Sequence, residues 1–457
     1  MFLAALLLLV VISGVSARAR STPVSGIPSP PHYFSNLVDH FSGDARTYLQ
    51  RYYVNATNFG GPGHPIICIM GGEGAIEPST GFFYPYVASV LAARLGALVI
   101  EPEHRFFGAS VPVPPYDTSK LSLLTAQQAL ADATAFIQAQ REAFGCSGEN
   151  GTPRCPVITV GGSYPGWLSA MMRLRYPAVV DMAWAASAPM RFYSQAAGQY
   201  DYYRVVTEVA ETAVPGCPAA VRGALARTLA IATKDEMVTG LNLCAPLPAY
   251  IEAGDAQLLQ EEVSMVIMYT FANLNMANWP PPDTTLKAAC TALVENAGVD
   301  AWGALSTFLS SYSALGEGAG GCYNLSTQLP SGRDGTISAG DWTGVGTGQD
   351  GSSWDFETCT FLVEQIGTNN VTDMFIPREW TMAWMTAHCQ DRFGVTPQPR
   401  TLADLWGFDE DRLPSLTSRI IFTNGLRDGW SAGGIVGNLV RKRSRAPTSP
   451  PPNQHAN

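Results

Sequence analysis

Charge is in short supply in this chain: charged residues make up 14% of its 457 positions, against 46% hydrophobic. That balance excludes an extended, self-repelling disordered protein, and most of the chain is expected to fold around a large core. Basic residues are scarcer than acidic ones, 28 against 38, which leaves a net charge of −10. Such a surface cannot neutralise a phosphate backbone, so nucleic acid is excluded as a partner. Long apolar runs are missing too. The run from Phe2 to Ile12 is too short to span a bilayer, and Val15 and Ala17 after it fit a signal-peptidase site. Residues 1–17 therefore read as a signal peptide, with no membrane attachment after cleavage. The lack of Lys or Arg at its start leaves an uncleaved anchor as the alternative. The mature chain is expected to be secreted or to reside in a lysosomal or vacuolar lumen.

None of the nine cysteines has the paired short spacing of a zinc site, and no metal or cofactor is implied. In an exported chain they predict up to four disulfides and one leftover thiol. Cys68, inside the apolar run Pro65–Met70, is the expected free one. Nearest-neighbour pairing gives Cys146–Cys155, Cys217–Cys244, Cys290–Cys322 and Cys359–Cys389. Sequons at Asn55, Asn150, Asn324 and Asn370 suit an exported surface.

Short apolar runs ending in Gly or an acidic residue recur along the first half: Pro65–Met70, Ala97–Ile100, Val157–Val160 and Met182–Ala186. Helical stretches separate them at Phe83–Leu95, Ala126–Phe144 and Trp167–Tyr176. Strands alternating with helices predict an α/β fold with a parallel sheet. From Gln195 to Phe393 helical windows such as Ala219–Ala232 and Ala256–Asn273 predominate, and the sheet resumes at Ile420–Thr423. The segment between reads as a mostly helical insertion that caps the sheet. Pro-rich residues 23–31 read as an extended leader, and residues 441–457 as a disordered tail.

The chemistry concentrates in Val157–Trp167, where a strand runs through Gly161-Gly162 into Ser163 and then Tyr164-Pro165-Gly166. Small residues around a serine at a strand-to-helix turn are what a nucleophile elbow requires. Ser163 is the candidate nucleophile and the Tyr164 amide a candidate oxyanion donor. The hydrolase pattern has Gly where this chain has Pro165. Gly71-Gly72-Glu73-Gly74 follows the first core strand, where a second oxyanion donor is expected, from Glu73 or Gly74. The alternatives are a phosphate loop or a tight turn for the first of these loops and a plain glycine turn for the second. Asp428, after the strand Ile420–Thr423, is the candidate triad acid. The base should follow it in the chain, and His455 does. His104, in Glu103-His104-Arg105, reads as structural, held by its charged neighbours. His388 lies beside Cys389 in the insertion, and His32, His40 and His64 precede the elbow.

These stretches, with Val38–Phe41, Arg51–Tyr53, Glu103–Ser110, Leu124–Asp132, Arg173, Tyr176-Pro177, Ala185–Pro189, Trp354 and Thr358–Thr360, resemble the serine carboxypeptidase family of lysosomal Pro-X carboxypeptidase, dipeptidyl-peptidase II and thymus-specific serine protease. The resemblance covers roughly residues 33–440. It implies an α/β-hydrolase domain from 18–194 and 394–440, a helical cap at 195–393, and cleavage of small peptides, often near proline, through an acyl-enzyme on Ser163. Gly429 stands where the family usually has Pro, and Arg441–Asn457 where it has a His-bearing loop and closing helix. The alternatives are a non-catalytic peptide-binding homologue and an esterase or lipase on the same fold. Peptides are the expected partners, with a homodimer as a further option on which the sequence is silent.

Overall fold

Five apolar runs form the parallel part of a seven-stranded sheet in the computed structural model, which describes residues 27–149, 151–230, 233–297, 301–312, 316–317, 321–325 and 348–439. The strands are β1 (His32–Leu37), β2 (Thr47–Asn55), β3 (Ile66–Ile69), β4 (Leu98–Pro102), β5 (Val157–Gly162), β6 (Met182–Ala186) and β7 (Ile420–Thr423). Their spatial order is β1-β2-β4-β3-β5-β6-β7, with β1 and β2 antiparallel to each other and β2 antiparallel to β4. From β4 to β7 all neighbours are parallel. β3 and β4 are buried along their whole length, as expected of strands covered on both faces.

The chain steps from β3 to β4 on one side and then crosses back to β5 on the other. Such a reversal opens a crevice at the carboxyl ends of the two middle strands. The loops after β3 and β5 meet there. Helices α1 (Ala126–Ala143) and α2 (Tyr164–Arg175) pack on the sheet, and Thr125 caps α1 by accepting from the Gln128 amide. Between β6 and β7 the described residues are mainly helical, including α3 (Asp201–Ala213), α4 (Ala256–Met276), α5 (Gly348–Thr358) and α6 (Met382–Phe393). Among the described residues no helix is long and apolar enough to cross a membrane.

The hairpin of β1 and β2 escapes the hydrophobic pattern for a physical reason. Its buried positions include Asn36, Gln50 and Arg51, each satisfied by a polar partner rather than by apolar packing. Asn36 Nδ2 donates to Gln50 Oε1 at 2.8 Å, and the Arg51 guanidinium pairs with the buried Glu103 carboxylate. Cys146–Cys155 and Cys359–Cys389 form as expected, and Cys68 is free and buried. The other two pairs do not follow sequence proximity: Cys217 bonds to Cys290 and Cys244 to Cys322, across separations of 73 and 78 residues. Helix packing decides the pairing, because helix Cys217–Leu229 lies against helix Thr285–Asn296. Closing a long loop costs only slightly more than closing a short one.

Arg105 and Asp132 tie the hairpin to α1. The Arg105 Nε and Nη2 donate to Asp132 Oδ2 and Oδ1 at 2.6 and 2.7 Å, and Tyr48 and His40 also reach that carboxylate at 2.8 and 2.7 Å. Burial pushes the Asp132 carboxyl up, but Arg105 and these hydrogen bonds hold it below the usual range. Removing one partner strands a buried charge. Asp132→Ala is therefore expected to cost about 3–5 kcal/mol in urea unfolding. The carboxyl's folded-state pKa is depressed, so the native advantage is full above about pH 4 and fades as the pH falls through that lower value.

Candidate active site

Ser163 sits between β5 and α2 with φ 60° and ψ −134°, a region a side chain rarely occupies. Two close backbone approaches impose it. A Cβ on Gly161 would lie 2.1 Å from the Pro165 carbonyl oxygen, and one on Gly166 would lie 2.8 Å from that of Ala186. The Ser163 amide donates to Ala186 O at 2.9 Å, while its carbonyl accepts from Gly166 and Trp167 at 2.9 and 3.1 Å. Tyr84 holds the turn from one side: its hydroxyl oxygen accepts the Gly162 amide at 2.8 Å. The serine is thus locked at the N-terminus of α2, where the Tyr164 amide has no acceptor within the helix. A strained serine joining a central strand to a helix, on a mixed sheet of this order, is the α/β-hydrolase fold.

The loop after β3 rests directly on this elbow. A Cβ on Gly72 would meet Pro165 Cγ at 2.2 Å, and one on Gly71 would lie 2.4 Å from Pro102 O. Asp350, within α5, fastens the loop's far end by accepting the Ala75 amide at 2.9 Å and the Gly108 amide at 3.0 Å. Glu73 and Ser163 line the same cavity of about 880 Å³. Burial pushes the Glu73 carboxyl up to about 7.

Asp428 follows β7, two strands away from β5 in the sheet. Its Oδ2 accepts from the Ser187 hydroxyl at 3.1 Å and its Oδ1 from the Trp430 amide at 3.1 Å. Burial raises its pKa, and those two donors oppose the shift. Asn275 of α4 clamps the turn, donating to Arg427 O at 2.9 Å and accepting from the Gly429 amide at 2.7 Å. Gly429 itself has no room for more, since a Cβ there would be 2.8 Å from the Tyr202 ring.

No hydrogen bond among the described residues joins a histidine to Asp428 or Ser163. His40 binds Asp132 at 2.7 Å, His64 faces Leu95 O at 3.3 Å, and His388 reaches Asp355 at 3.0 and 3.1 Å. His32 stacks on Tyr52 at the sheet edge. His455 and Asn150 lie outside the described residues. Asn55 and Asn324 are half-buried, and Asn370 is exposed. Asp355, Cys359 and His388 come within 4.8 Å of one another, a metal-like grouping. Its chemistry argues otherwise, for Cys359 is oxidised to Cys389 and Arg392 pairs with Asp355 at 2.7 Å.

Behind the elbow, His104 is held differently from what its charged neighbours suggest. Its Nδ1 lies 2.9 Å from Arg105 O, which can only accept, so Nδ1 carries a proton. Its Nε2 lies 3.0 Å from the Tyr164 hydroxyl, which in turn lies 2.9 Å from Glu357 Oε1. Burial lowers the imidazole to about 4, so Nε2 is an acceptor and takes the tyrosine's single hydrogen. The tyrosine oxygen is then itself an acceptor, and Glu357 must supply a proton to it. Burial pushes the Glu357 carboxyl well up, and its Oε2 has no partner, which an ionised group would tolerate poorly. A neutral chain from Glu357 through Tyr164 to His104 thus anchors the residue beside Ser163. Ser187, Tyr84 and Glu357 were not singled out from sequence, although Ser187 lies within the Ala185–Pro189 stretch that carries the family resemblance.

Comparison with known proteins follows the same lines. The model of the serine carboxypeptidase S28 family matches residues 36–444. The chain is 30% identical to mouse lysosomal Pro-X carboxypeptidase over 441 residues, covering 89% of this chain and 80% of that one. The human enzyme of that name is 29% identical over 427 residues, with coverages of 89% and 79%. Human thymus-specific serine protease is 35% identical over 248 residues, covering 52% of this chain and 46% of that one. The solved structure of proline iminopeptidase from Mycobacterium smegmatis aligns with TM-score 0.30 at 18% identity, over 65% of this chain and 76% of that one.

The neutral chain makes a measurable claim. Glu357 holds its proton in the folded state to a higher pH than in the unfolded one, so native stability falls as pH rises above the ordinary glutamate range. That slope is at most about 1.4 kcal/mol per pH unit. Glu357→Gln keeps a neutral donor and lacks the slope, so urea unfolding should find it gaining on the native protein as pH rises. Glu357→Ala leaves the tyrosine oxygen unpaired and should cost about 1–3 kcal/mol.

Proposed function

The chain belongs to the serine carboxypeptidase S28 family, and from that premise we propose that its chemistry runs through Ser163 with Asp428 as the triad acid. The enzyme is a serine exopeptidase that acts on small peptides near proline. The observation that carries the assignment is the strained backbone of Ser163, because a φ of 60° at a non-glycine residue is kept only where the surroundings enforce it. In the reaction Ser163 Oγ attacks the scissile carbonyl while a histidine base takes its proton. Charge gathers on the carbonyl oxygen, and the amides of Tyr164 and of Glu73 or Gly74 receive it. The amine leaves with the proton, and water releases the acyl group by the reverse sequence.

Asp428 orients the base and stabilises its cation, and we assign His455 to that role as the histidine that follows the acid in chain order. The segment 195–393 is the cap that closes over the sheet, and the lysosomal relatives favour a lumenal site of action. A second reading, a peptide-binding homologue without turnover, rests on one observation: Oδ2 of Asp428 is occupied by the Ser187 hydroxyl.

A fluorophosphonate probe separates the two. The proposal expects a single adduct on Ser163, lost in Ser163→Ala, together with turnover of proline-containing peptides in preference to simple esters. Asp428→Asn is expected to lower kcat by about 10⁴-fold. Peptide binding with neither adduct nor turnover in the full-length protein would favour the second reading.

A further inference from the structure

The cavity beside Ser163 has a lopsided charge. Glu73, Glu261, Glu262, Asp355, Glu364 and Glu379 bring six carboxyls to its lining, and Arg378 brings the one guanidinium. Asp355 is already matched by Arg392 and His388. Arg378 is drawn to Glu262 and Glu261 and lies over the Trp384 ring, 5.7 Å from its centroid. Glu73 and Glu364 are left with no cation among the described residues.

These two carboxyls converge from different elements. Glu73 comes from the loop seated on the elbow through Gly72 and Pro165. Glu364 lies just past α5, in a segment pinned by Gln195 Nε2 donating to Val363 O at 2.6 Å. It neighbours Tyr193, whose ring meets Trp167 of α2 edge-on at 5.6 Å. The Tyr193 hydroxyl, in a residue 2% exposed, and Glu364 Oε1 face each other without a well-formed hydrogen bond, and neither has another partner among the described residues. Burial and the nearby Glu73 push the Glu364 carboxyl up to about 8. Buried polar atoms left unpaired carry a penalty that a suitable ligand removes. A group with a positive charge and several hydrogens to give relieves the repulsion and fills the empty acceptors together.

We propose that Glu73 and Glu364 form an ammonium subsite beside Ser163, so that the enzyme grips peptides by a free amino terminus and cuts from that end. The subsite depends on Ser163 being the nucleophile, since its distance from that serine sets which bond is cut. A substrate carboxylate would meet acidic walls here, with Arg378 already engaged. An α-amine, with its ordinary pKa of about 7.7–8.0, is largely protonated at neutral pH and meets the requirement.

The test uses one proline-containing tetrapeptide in four forms: both ends free, amino-acetylated, carboxy-amidated, and acetylated with lysine as the first residue. Acetylation is expected to lower kcat/KM about 100-fold or more, because it leaves the two half-buried carboxyls without their cation. Amidation should change it by less than about threefold, since no contact to a carboxylate is invoked. Glu364→Gln, checked for an unchanged melting profile, should raise KM for the free peptide and shrink the penalty of acetylation about tenfold. Equal cleavage of free and acetylated peptides, protection by amidation, or rescue of the acetylated peptide by its lysine would each overturn the subsite. Fluorophosphonate labelling of Ser163 run alongside tells that failure from failure of the nucleophile, which would remove the subsite with it.

Discussion

The site depends on how closely two pieces of backbone meet at the carboxyl end of β5. Gly161 and Gly166 let the first turn of α2 fold back against the strand, and no other residue type has room at either position. That contact forces Ser163 into its unusual dihedrals, points α2 at it, and leaves the Tyr164 amide free. Gly72 then extends the same economy of space to a second loop, which lies on Pro165. The proposed nucleophile and oxyanion donors are thereby set by main chain, the least adjustable part of the molecule. The proline after Tyr164, a departure from the commoner glycine, is the surface on which the second loop rests.

Around that frame the protein buries more polar chemistry than its low overall charge suggests. The pairs Arg51–Glu103 and Arg105–Asp132 are charged and fully matched, and they fasten the hairpin and α1 to the sheet. The chain of His104, Tyr164 and Glu357 is buried as deeply but is neutral. The difference follows from partners. A guanidinium can satisfy a carboxylate in the interior, whereas an imidazole and a phenol leave it to keep its own proton.

The elbow, the glycine loop and the late aspartate were legible because each is written in consecutive residues at fixed offsets. The parallel strands were legible because burial on both faces leaves unbroken apolar runs. The hairpin was not, since Gln50 and Arg51 are buried through polar partners and so interrupt the pattern. Cysteine pairing was half legible: Cys146–Cys155 closes a local loop, whereas Cys217–Cys290 depends on which helices pack together. Ser187, Tyr84 and Glu364 carry no local signature. They reach the site from three separate elements, and only the folded topology brings them to it.

Asp350 gives the helical segment a part in the machinery of the sheet. One carboxylate, on an element that lies between β6 and β7 in the chain, accepts amides from both Ala75 and Gly108. The segment is consequently no detachable roof. Shift it outward and the glycine loop loses its outer fastening, so access to the cleft and the placement of the proposed oxyanion donors are coupled through a single side chain. The start of α5 is thereby constrained to stay where it is, as are Tyr202 of α3 and Asn275 of α4, which hold the turn of Asp428.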